Sequence, residues 1–165
     1  MKLISIVFSF RNEEKNLQEL VKRVKEIFKK IDNWNYELVF VNDNSSDDSE
    51  KILISLQKEN PINIINMSRT FGVGPCVLAG FKNITGECVI YMDSDLQDPP
   101  ELIPDLIKEY ENGAEVVHTV RSKRSGENKI KMFITKFAYK VINYFSDIDL
   151  PIEAGDFKLI SKKVL

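Results

Sequence analysis

Short apolar segments recur along the chain and alternate with longer segments whose apolar residues are spaced three and four apart. The short segments are rich in Val, Ile and Phe, which is typical of β-strands. The wider spacing is typical of helices that bury one face. We predict strands at Leu3 to Phe10, Tyr36 to Val41, Ile62 to Met67, Cys88 to Met92 and Glu115 to Val120.

The segments between these strands predict helices. Leu17 to Ile31 carries one apolar stripe, Ser46 to Gln57 begins with residues that favour a helix N-terminus, and Leu102 to Tyr110 precedes an Asn-Gly turn. Strands that alternate with helices pair in parallel, because each crossover contains a helix. The sequence therefore predicts an α/β fold, with an open, mostly parallel sheet and helices on both of its faces.

The composition is that of one soluble globular domain. Of the 165 residues, 43% are hydrophobic and 29% are charged, and the formal net charge is -2. A chain so close to neutrality does not attract polyanions globally, so we predict no nucleic-acid partner. Cys76 and Cys88 match no metal-binding or redox spacing, and we find no signal peptide or membrane span. These features predict reduced thiols and a location in the cytoplasm or at the cytoplasmic face of the membrane.

Two carboxylates separated by one residue follow the fourth predicted strand. Asp93 and Asp95 leave that strand on the same side, so both side chains can converge on one divalent cation. Two carboxylates about 4 Å apart repel by roughly 1 kcal/mol in water and by roughly 4 kcal/mol at an effective dielectric constant near 20. The pair therefore favours a site for Mg²⁺ or Mn²⁺, and the alternative is that these acids only cap the following helix.

Other loops at the same predicted edge of the sheet carry polar groups. Asp43 ends the second strand, where its carboxylate either accepts hydrogen bonds from a nucleobase or forms an Asx turn with Asn44 and Ser45. Arg69 and Arg121 follow the third and fifth strands and suit phosphate oxygens. Either arginine alone is more typical of a surface charge, whereas the two together favour a phosphate site.

Three further features have more than one interpretation. His118, the one histidine, lies in an apolar strand and is predicted to be a core residue without a catalytic role. Asp156 is a turn residue unless the chain folds back over Asp93, where a general base would be needed. A further helix predicted at Asn128 to Phe145 has a basic face, which is either solvated or in contact with lipid phosphates at a membrane surface.

Taken together, these motifs resemble those of family 2 glycosyltransferases with a GT-A fold. The chain is similar in particular to polyprenyl-phosphate glycosyltransferases such as dolichol-phosphate mannose synthase and the bactoprenol glucosyltransferases. The resemblance runs from Leu3 to Leu165 and implies a Rossmann-like nucleotide-binding domain. The motifs that carry it are Met92 to Glu101, which is the most specific, and Asn12 to Glu14, Val41 to Asp47, Ser68 to Gly72 and Ala154 to Lys158.

The resemblance implies a metal-dependent inverting glycosyltransferase that moves a sugar from a UDP- or GDP-linked donor to an acceptor. The implied acceptor is a polyprenyl phosphate, with a saccharide as the alternative. Asp93 and Asp95 would hold the Mg²⁺ or Mn²⁺ ion and the diphosphate, and Asp95 and Asp156 would be the catalytic residues. The implied donor-binding residues are Phe10, Asn12, Glu13, Asp43, Arg69, Asp93, Ser94, Asp95, Gln97 and Arg121.

The sequence departs from the family pattern at several positions. Ser9 and Arg11 stand where the family has a proline and an aromatic residue. Asn44 replaces a glycine, which is tolerable because asparagine also adopts left-handed backbone conformations. Thr70 replaces an asparagine, and Val73 to Pro75 replaces residues that are usually charged.

Family members also continue past Leu165 with an acceptor-side segment and often with transmembrane helices. We therefore expect residues 1–165 to form one catalytic domain that is shortened relative to the family. A nucleotide-sugar-binding module without transfer activity is the main alternative. A phospho-receiver or an Asp-dependent phosphatase is disfavoured, because those proteins carry their acids after the first strand. Peripheral membrane association and a homo-oligomer are both compatible with the sequence.

Overall fold

The fold is known from a computed structural model, which describes residues 1–120 and 154–165. The chain divides into two units, one formed by Met1–Val117 with Asp156–Leu165 and the other by His118–Gly155. The helix predicted at Asn128 to Phe145 lies outside the described residues. The prediction of a single domain over residues 1–165 stays a prediction.

Strands and helices alternate along the described part of the chain. The strands are β1 (Lys2–Phe10), β2 (Trp34–Asn42), β3 (Ile62–Asn66), β4 (Cys88–Tyr91), β5 (Val116–Val120) and β6 (Ala154–Ser161). The helices are α1 (Leu17–Phe28), α2 (Ser49–Gln57), α3 (Val73–Phe81) and α4 (Ile103–Glu111), and a 3₁₀ turn at Pro100–Leu102 precedes α4. All the predicted strands are confirmed to within about two residues at either end. None of the helices in the described residues has the length and hydropathy that a membrane span requires.

The described strands form one sheet in the order β3-β2-β1-β4-β6-β5. β1 pairs in parallel with β2 on one side and with β4 on the other, and β3 adds a further parallel strand beyond β2. β6 runs antiparallel to β4, with Tyr91 opposite Lys158. The predicted mostly parallel α/β sheet is thus confirmed. Its order reverses at β1, and ligands of such sheets bind at that position, beyond the carboxyl ends of the strands.

Helices cover both faces of this sheet, as predicted. The larger cluster of buried side chains joins the sheet to α1, α2 and α4, and within it Phe8 stacks on Phe40 with ring centroids 4.7 Å apart. The smaller cluster joins Val7 and its neighbours to α3, where Phe81 packs against them. Because β1 and β4 are buried on both faces, β4 is a continuous apolar run, and between Leu3 and Phe10 only the uncharged residues Ser5 and Ser9 interrupt the apolar residues of β1.

β6 was not predicted from the sequence, although it carries a strand pattern. Phe157 and Leu159 are fully buried, whereas Lys158 and Ile160 between and after them are partly exposed. This alternation is typical of a strand with one buried face. Gly155 and Asp156, at the start of this segment, favour a turn, and for that reason the strand was not predicted.

The prediction that His118 is a core residue was wrong. His118 is exposed, and every side chain of β5 is exposed or partly exposed. β5 lies at the end of the order of the described strands, so among these strands it has a neighbour on one side only. An apolar run in such a position does not require burial on both faces.

α2 begins at Ser49 and not at Ser46, where it was predicted to begin. The residues before it are bonded to the loop that follows β1. The backbone amide of Ser46 donates to the Oδ1 atom of Asn12 at 2.8 Å, and the amide of Glu14 donates to the Asp47 carboxylate at 3.1 Å. Side chains that bond backbone groups in this way compete with helix formation, which explains the later start.

A buried carboxylate connects β1, β2 and the segment that leads into β4. The Oε1 atom of Glu37 accepts hydrogen bonds from the Ser5 hydroxyl and from the Thr85 backbone amide, each at 2.6 Å. The Gly86 amide donates in turn to the Ser5 hydroxyl oxygen at 2.9 Å. Glu37 and Ser5 are opposite each other in the pairing of β1 with β2. This network therefore fixes where β4 enters the sheet.

Removal of the Glu37 carboxylate should destabilise the fold. Glu37→Ala leaves the Ser5 hydroxyl and the Thr85 amide without their acceptor, and we expect the free energy of unfolding to fall by about 2 to 3 kcal/mol. Urea unfolding followed by circular dichroism measures the change. Glu37→Gln is the matched control, since its amide oxygen still accepts, and equal losses in the two variants would contradict this assignment.

Candidate functional site

A cavity of about 200 Å³ lies beyond the carboxyl ends of β1, β2 and β4. It occupies the position where the strand order reverses, which is the expected ligand site of an open α/β sheet. Its lining combines four carboxylates with few apolar side chains. The lining residues are Ser9, Phe10, Arg11, Glu13, Asp43, Val73, Cys76, Asp93, Ser94 and Asp95.

Hydrogen bonds between the loops after β1 and β2 fix one wall of this cavity. Asn12 has a φ of +60°, its amide donates to the Ser45 hydroxyl at 3.0 Å, and its Oδ1 atom accepts from Ser46. The amide of Glu13 donates to the Ser49 hydroxyl at 2.9 Å. Asn12 and Glu13 were both predicted to bind the sugar donor. Glu13 lines the cavity, whereas Asn12 does not and instead joins the two loops.

Asp43 is held by the loop that follows β3, an arrangement that the sequence did not predict. Its Oδ1 atom accepts from the Phe71 amide at 2.7 Å, and its Oδ2 atom accepts from the Gly72 amide at 3.0 Å. The Asx turn in this region is made by Asn42, whose Oδ1 atom accepts from the Ser45 amide at 2.8 Å. Asp43 also lines the cavity, which is compatible with the predicted contact with a nucleobase. That contact stays a prediction.

These contacts keep the Asp43 carboxyl ionised. Burial alone would raise its pKa, but hydrogen bonds from the Phe71 and Gly72 amides lower it. The Cys76 thiol and the positive charge of Arg11 lower the pKa further, and it lies below its ordinary value. Burial, followed by the charge of Asp43, raises the pKa of Cys76 to about 11. At neutral pH, Cys76 is therefore a neutral donor to an ionised Asp43.

Asp93 and Asp95 form the opposite wall of the cavity. The Tyr91 hydroxyl lies 3.2 Å from the Oδ1 atom of Asp93 and 3.2 Å from the Ser9 hydroxyl. The backbone amide of Gln97 donates to the Oδ1 atom of Asp95 at 3.0 Å. The Gln97 side chain is exposed and does not line the cavity, and its role as a donor-binding residue stays a prediction.

The turn after Asp95 has an unusual backbone. Leu96 has a φ of +62°, a left-handed conformation that residues with a β-carbon rarely adopt. Strain of this kind persists only where the surrounding structure enforces it, and it is concentrated at functional sites. In this loop the left-handed conformation of Leu96 occurs together with the hydrogen bond from the Gln97 amide to the Asp95 carboxylate.

Negative charge accumulates around Asp93. Burial raises the pKa of this carboxyl first, the hydrogen bond with Tyr91 lowers it, and the charges of nearby carboxylates raise it again. The net result is a pKa above the ordinary value. The carboxylates responsible are Asp156, Asp95 and Asp98.

Asp156 reaches this position because β6 is antiparallel to β4. The pairing of Tyr91 with Lys158, continued by two residues, places Asp156 opposite Asp93. The chain thus folds back over the Asp93 edge, which was the condition for Asp156 to become a candidate base. Asp156 is exposed, and it is not among the residues that line the cavity. Its catalytic role stays a prediction.

The carboxylate oxygens of Asp93 and Asp95 are suitable ligands for a hard divalent cation. Within residues 1–120 and 154–165, no three His, Cys, Asp or Glu side chains are grouped so that they could hold a metal ion. Mg²⁺ and similar ions are commonly held by one or two carboxylates, with water or substrate phosphate as the other ligands. Burial first, and then the charges of nearby carboxylates, raise the pKa of Asp93, and a bound cation would offset both effects by stabilising its ionised form.

The other predicted donor-binding residues differ in where they lie. Ser94 and Phe10 line the cavity, and Phe10 is at the same time part of the core. Arg69 does not line it, because its guanidinium lies over the Phe71 ring, 4.7 Å from the centroid. Arg121 lies outside the described residues.

Sequence reasoning missed Arg11 and Cys76 as cavity residues. Arg11 is the one cation among the described residues that line the cavity, and it directly follows β1. The rule that selected Asp43, a charged residue at the carboxyl end of a strand, would have selected Arg11 as well. No comparable pattern marks Cys76, which lies inside α3 and reaches the cavity only through the packing of that helix.

The charge of Asp43 should stabilise the fold in a pH-dependent way. Because the folded-state pKa lies below the ordinary value of 3.8, the stabilisation is present above that pH and is lost as the pH falls through the lowered pKa. We expect Asp43→Asn to be less stable than the wild type by about 1 to 3 kcal/mol near neutrality. The difference should shrink in acid.

Urea unfolding at several pH values measures this difference. Asp105→Asn, at an exposed carboxylate in α4, is the matched control and should follow the wild type. A gap between the wild type and Asp43→Asn that stays constant down to the acid limit would contradict the assignment.

Comparison with known proteins gives a consistent family. A model described as "Glycosyl transferase family 2" matches residues 5–165. The bactoprenol glucosyl transferase of Shigella phage SfX is 37% identical over 163 residues, which are 98% of this chain and 53% of that protein. The glycosyltransferase YkcC of Bacillus subtilis (strain 168) is 42% identical over 161 residues, which are 97% of this chain and 50% of that protein. The chain thus spans about half the length of the curated relatives that it matches.

Solved structures share the fold at lower identity. Glucosyl-3-phosphoglycerate synthase from Mycobacterium tuberculosis, in complex with Mn²⁺, UDP-glucose and phosphoglyceric acid, superposes with a TM-score of 0.70 at 18% identity, over 98% of this chain and 57% of that one. S. aureus TarS 1-349 in complex with UDP-GlcNAc gives a TM-score of 0.56 at 22% identity, over 78% of this chain and 36% of that one. At these identities the likeness shows the fold alone, and the predicted GT-A fold is confirmed.

Proposed function

Because the chain belongs to glycosyl transferase family 2, we propose that it is a metal-dependent inverting glycosyltransferase domain. Its donor would be a nucleoside-diphosphate sugar and its acceptor a polyprenyl phosphate. The observation that carries this proposal is the convergence of Asp43, Asp93 and Asp95 on one cavity. We further propose that residues 1–165 act as one domain in the cytoplasm, at the membrane surface where such an acceptor lies.

We propose that the donor spans the cavity from Asp43 to Asp93. The Asp43 side supplies an ionised carboxylate, which can still accept hydrogen bonds from the N–H groups of a nucleobase with its remaining lone pairs. Arg11 lies on the same side and suits a phosphate oxygen or the face of the base. UDP-glucose is the first donor to test, because relatives are named bactoprenol glucosyl transferases and a structural neighbour was solved with UDP-glucose.

Asp93 and Asp95 would hold Mg²⁺ or Mn²⁺ at the diphosphate. The bound cation would stabilise the negative charge that develops on the departing nucleoside diphosphate. The Tyr91 hydroxyl, which contacts both Asp93 and Ser9, would keep the Asp93 carboxylate oriented. Gln97 would do the same for Asp95 through its backbone amide.

Asp156 is our candidate for the base that receives the acceptor proton. An oxygen of the polyprenyl phosphate would attack the anomeric carbon from the side opposite the diphosphate, the bond to the diphosphate would break, and the configuration would invert. The proton of the acceptor phosphate would pass to the Asp156 carboxylate. Two observations support this role: Asp156 is exposed, and its charge acts on Asp93.

Loss of the Asp95 carboxylate should abolish most of the turnover. We expect Asp95→Ala to slow the release of nucleoside diphosphate by roughly a hundredfold to a thousandfold, as for other groups that stabilise developing charge. The assay follows UDP release from UDP-glucose with Mn²⁺ and a polyprenyl phosphate in detergent. Asp105→Ala, at an exposed position on α4, is the control. Wild-type turnover in Asp95→Ala would show that the metal assignment is wrong.

Cation binding should compete with protons at Asp93. Since burial and nearby carboxylates raise the pKa of this group, its ionisation costs stability as the pH rises through the raised value. A bound cation would relieve that cost, so Mn²⁺ affinity should fall as the pH is lowered through the raised pKa. Titration calorimetry with Mn²⁺ and UDP at several pH values measures this. Asp93→Asn should bind more weakly, and a pH-independent Mn²⁺ affinity in the wild type would refute the assignment.

A nucleotide-sugar-binding module without transfer is the second candidate. The observation that favours it is that the chain spans about half the length of the curated relatives that it matches. Calorimetry and the UDP-release assay together separate the candidates. Metal-dependent donor binding with no release of UDP, whatever the acceptor, would establish the binding module.

A further inference from the structure

The helix α3 exposes apolar residues beside the cavity. Leu78 is 62% exposed, Val73 is 60% exposed, and Phe71, which lies just before the helix, is 39% exposed. Within the helix, only Cys76 and Gly80 are buried. A surface helix usually turns charged and polar side chains outward, and α3 does not.

No charged residue occurs between Arg69 and Lys82, and both of these are exposed. An isolated exposed apolar residue needs no explanation, and Ile54 of α2, which is 50% exposed among charged neighbours, is an example. An uncharged outer face over a whole helix is different, because contiguous apolar surface marks an interaction site. The α3 face is defined here as Phe71, Val73 and Leu78, with Arg69 and Lys82 at its two ends.

We propose that the α3 face docks onto an anionic lipid surface. The apolar side chains would enter the boundary between the headgroups and the acyl chains, and the two terminal cations would contact lipid phosphates. A helix of nine residues is too short to cross a bilayer and would lie in its plane. The role of docking in sugar transfer rests on the proposed function, whereas the exposure of the α3 face does not.

The position of the face relative to the cavity supports this partner. Val73 belongs both to the α3 face and to the cavity lining, so the two surfaces are continuous. The other side of the helix is anchored, because Gly80 packs directly on Val7 and the Cys76 thiol donates to Asp43. Docking would therefore hold the cavity at the membrane surface, where a lipid-phosphate acceptor can reach it without leaving the bilayer.

A second copy of the chain fits the face less well. Most homodimers are two-fold symmetric, so each copy would present the same surface to the other. The charged residues at both ends of the α3 face are positive, so a symmetric pairing would bring like charges together. The same charges are complementary to anionic lipid.

Vesicle binding by the purified chain tests the proposal, with no nucleotide or metal present. Vesicles of equal parts phosphatidylglycerol and phosphatidylcholine are compared with vesicles of phosphatidylcholine alone by co-sedimentation. We expect stronger binding to the anionic vesicles, a loss of roughly tenfold in Leu78→Ser, and a smaller loss in Lys82→Gln. Ile54→Ser is the matched control and should bind as the wild type does.

A second measurement locates the contact. Leu78→Trp should be quenched by brominated lipid, whereas Ile54→Trp should not, and the buried Trp34 contributes equally to both. Absence of wild-type vesicle binding, or binding unchanged in Leu78→Ser, would overturn the proposal. Concentration-dependent self-association that Leu78→Ser abolishes, without any effect on vesicles, would overturn it in favour of a second copy.

Failure of this proposal can be distinguished from failure of the proposed function. Donor binding is measured by calorimetry in solution without lipid, and docking is measured on vesicles without donor. Donor binding that is intact in a chain that ignores vesicles overturns docking alone. Vesicle binding in a chain that binds no nucleotide sugar supports docking and contradicts the proposed function.

Discussion

The parallel pairing of β1 with both β2 and β4 is the constraint on which the candidate site depends. Parallel neighbours end at the same edge of the sheet, so the loops that follow these three strands meet there. The register places Phe10 opposite Asn42 and Val7 opposite Tyr91. Arg11, Asp43 and Asp93, each of which follows one of these strands, therefore line a single cavity.

The two walls of that cavity hold carboxylates in opposite electrostatic states. Asp43 has its charge balanced by backbone amides, a thiol and Arg11, and its pKa lies below the ordinary value. Asp93 is buried beside other carboxylates, and its pKa lies above the ordinary value. A carboxylate that is already satisfied suits neutral N–H donors, whereas an under-compensated one suits a cation. This contrast gives the cavity a direction, from the Asp43 end, which we propose binds the base, to the Asp93 end, which we propose binds the diphosphate.

Several side chains in the region build the site through their contacts with other residues. Asn12 joins the loops after β1 and β2, and Tyr91 links Ser9 to Asp93. The helix α3 also contributes to the site through its buried side, where Gly80 packs on the sheet and Cys76 bonds Asp43. Its outer face carries no charged residue. A polar residue at a strand end is therefore as well suited to hold a loop as to bind a substrate.

The sequence by itself determined the strands, their α/β alternation and the Asp93-Asp95 pair at a strand end, because burial on one or both faces imposes a local pattern on the residues. It did not determine which loops would touch. Three features depend on residues that are distant in sequence. They are the hydrogen bond from the Phe71 amide to Asp43, the position of Cys76 at the cavity and the exposure of His118. The antiparallel strand β6 is the clearest case: only its pairing with β4 places Asp156 opposite Asp93, since a local pattern can predict a strand but not its neighbour or register.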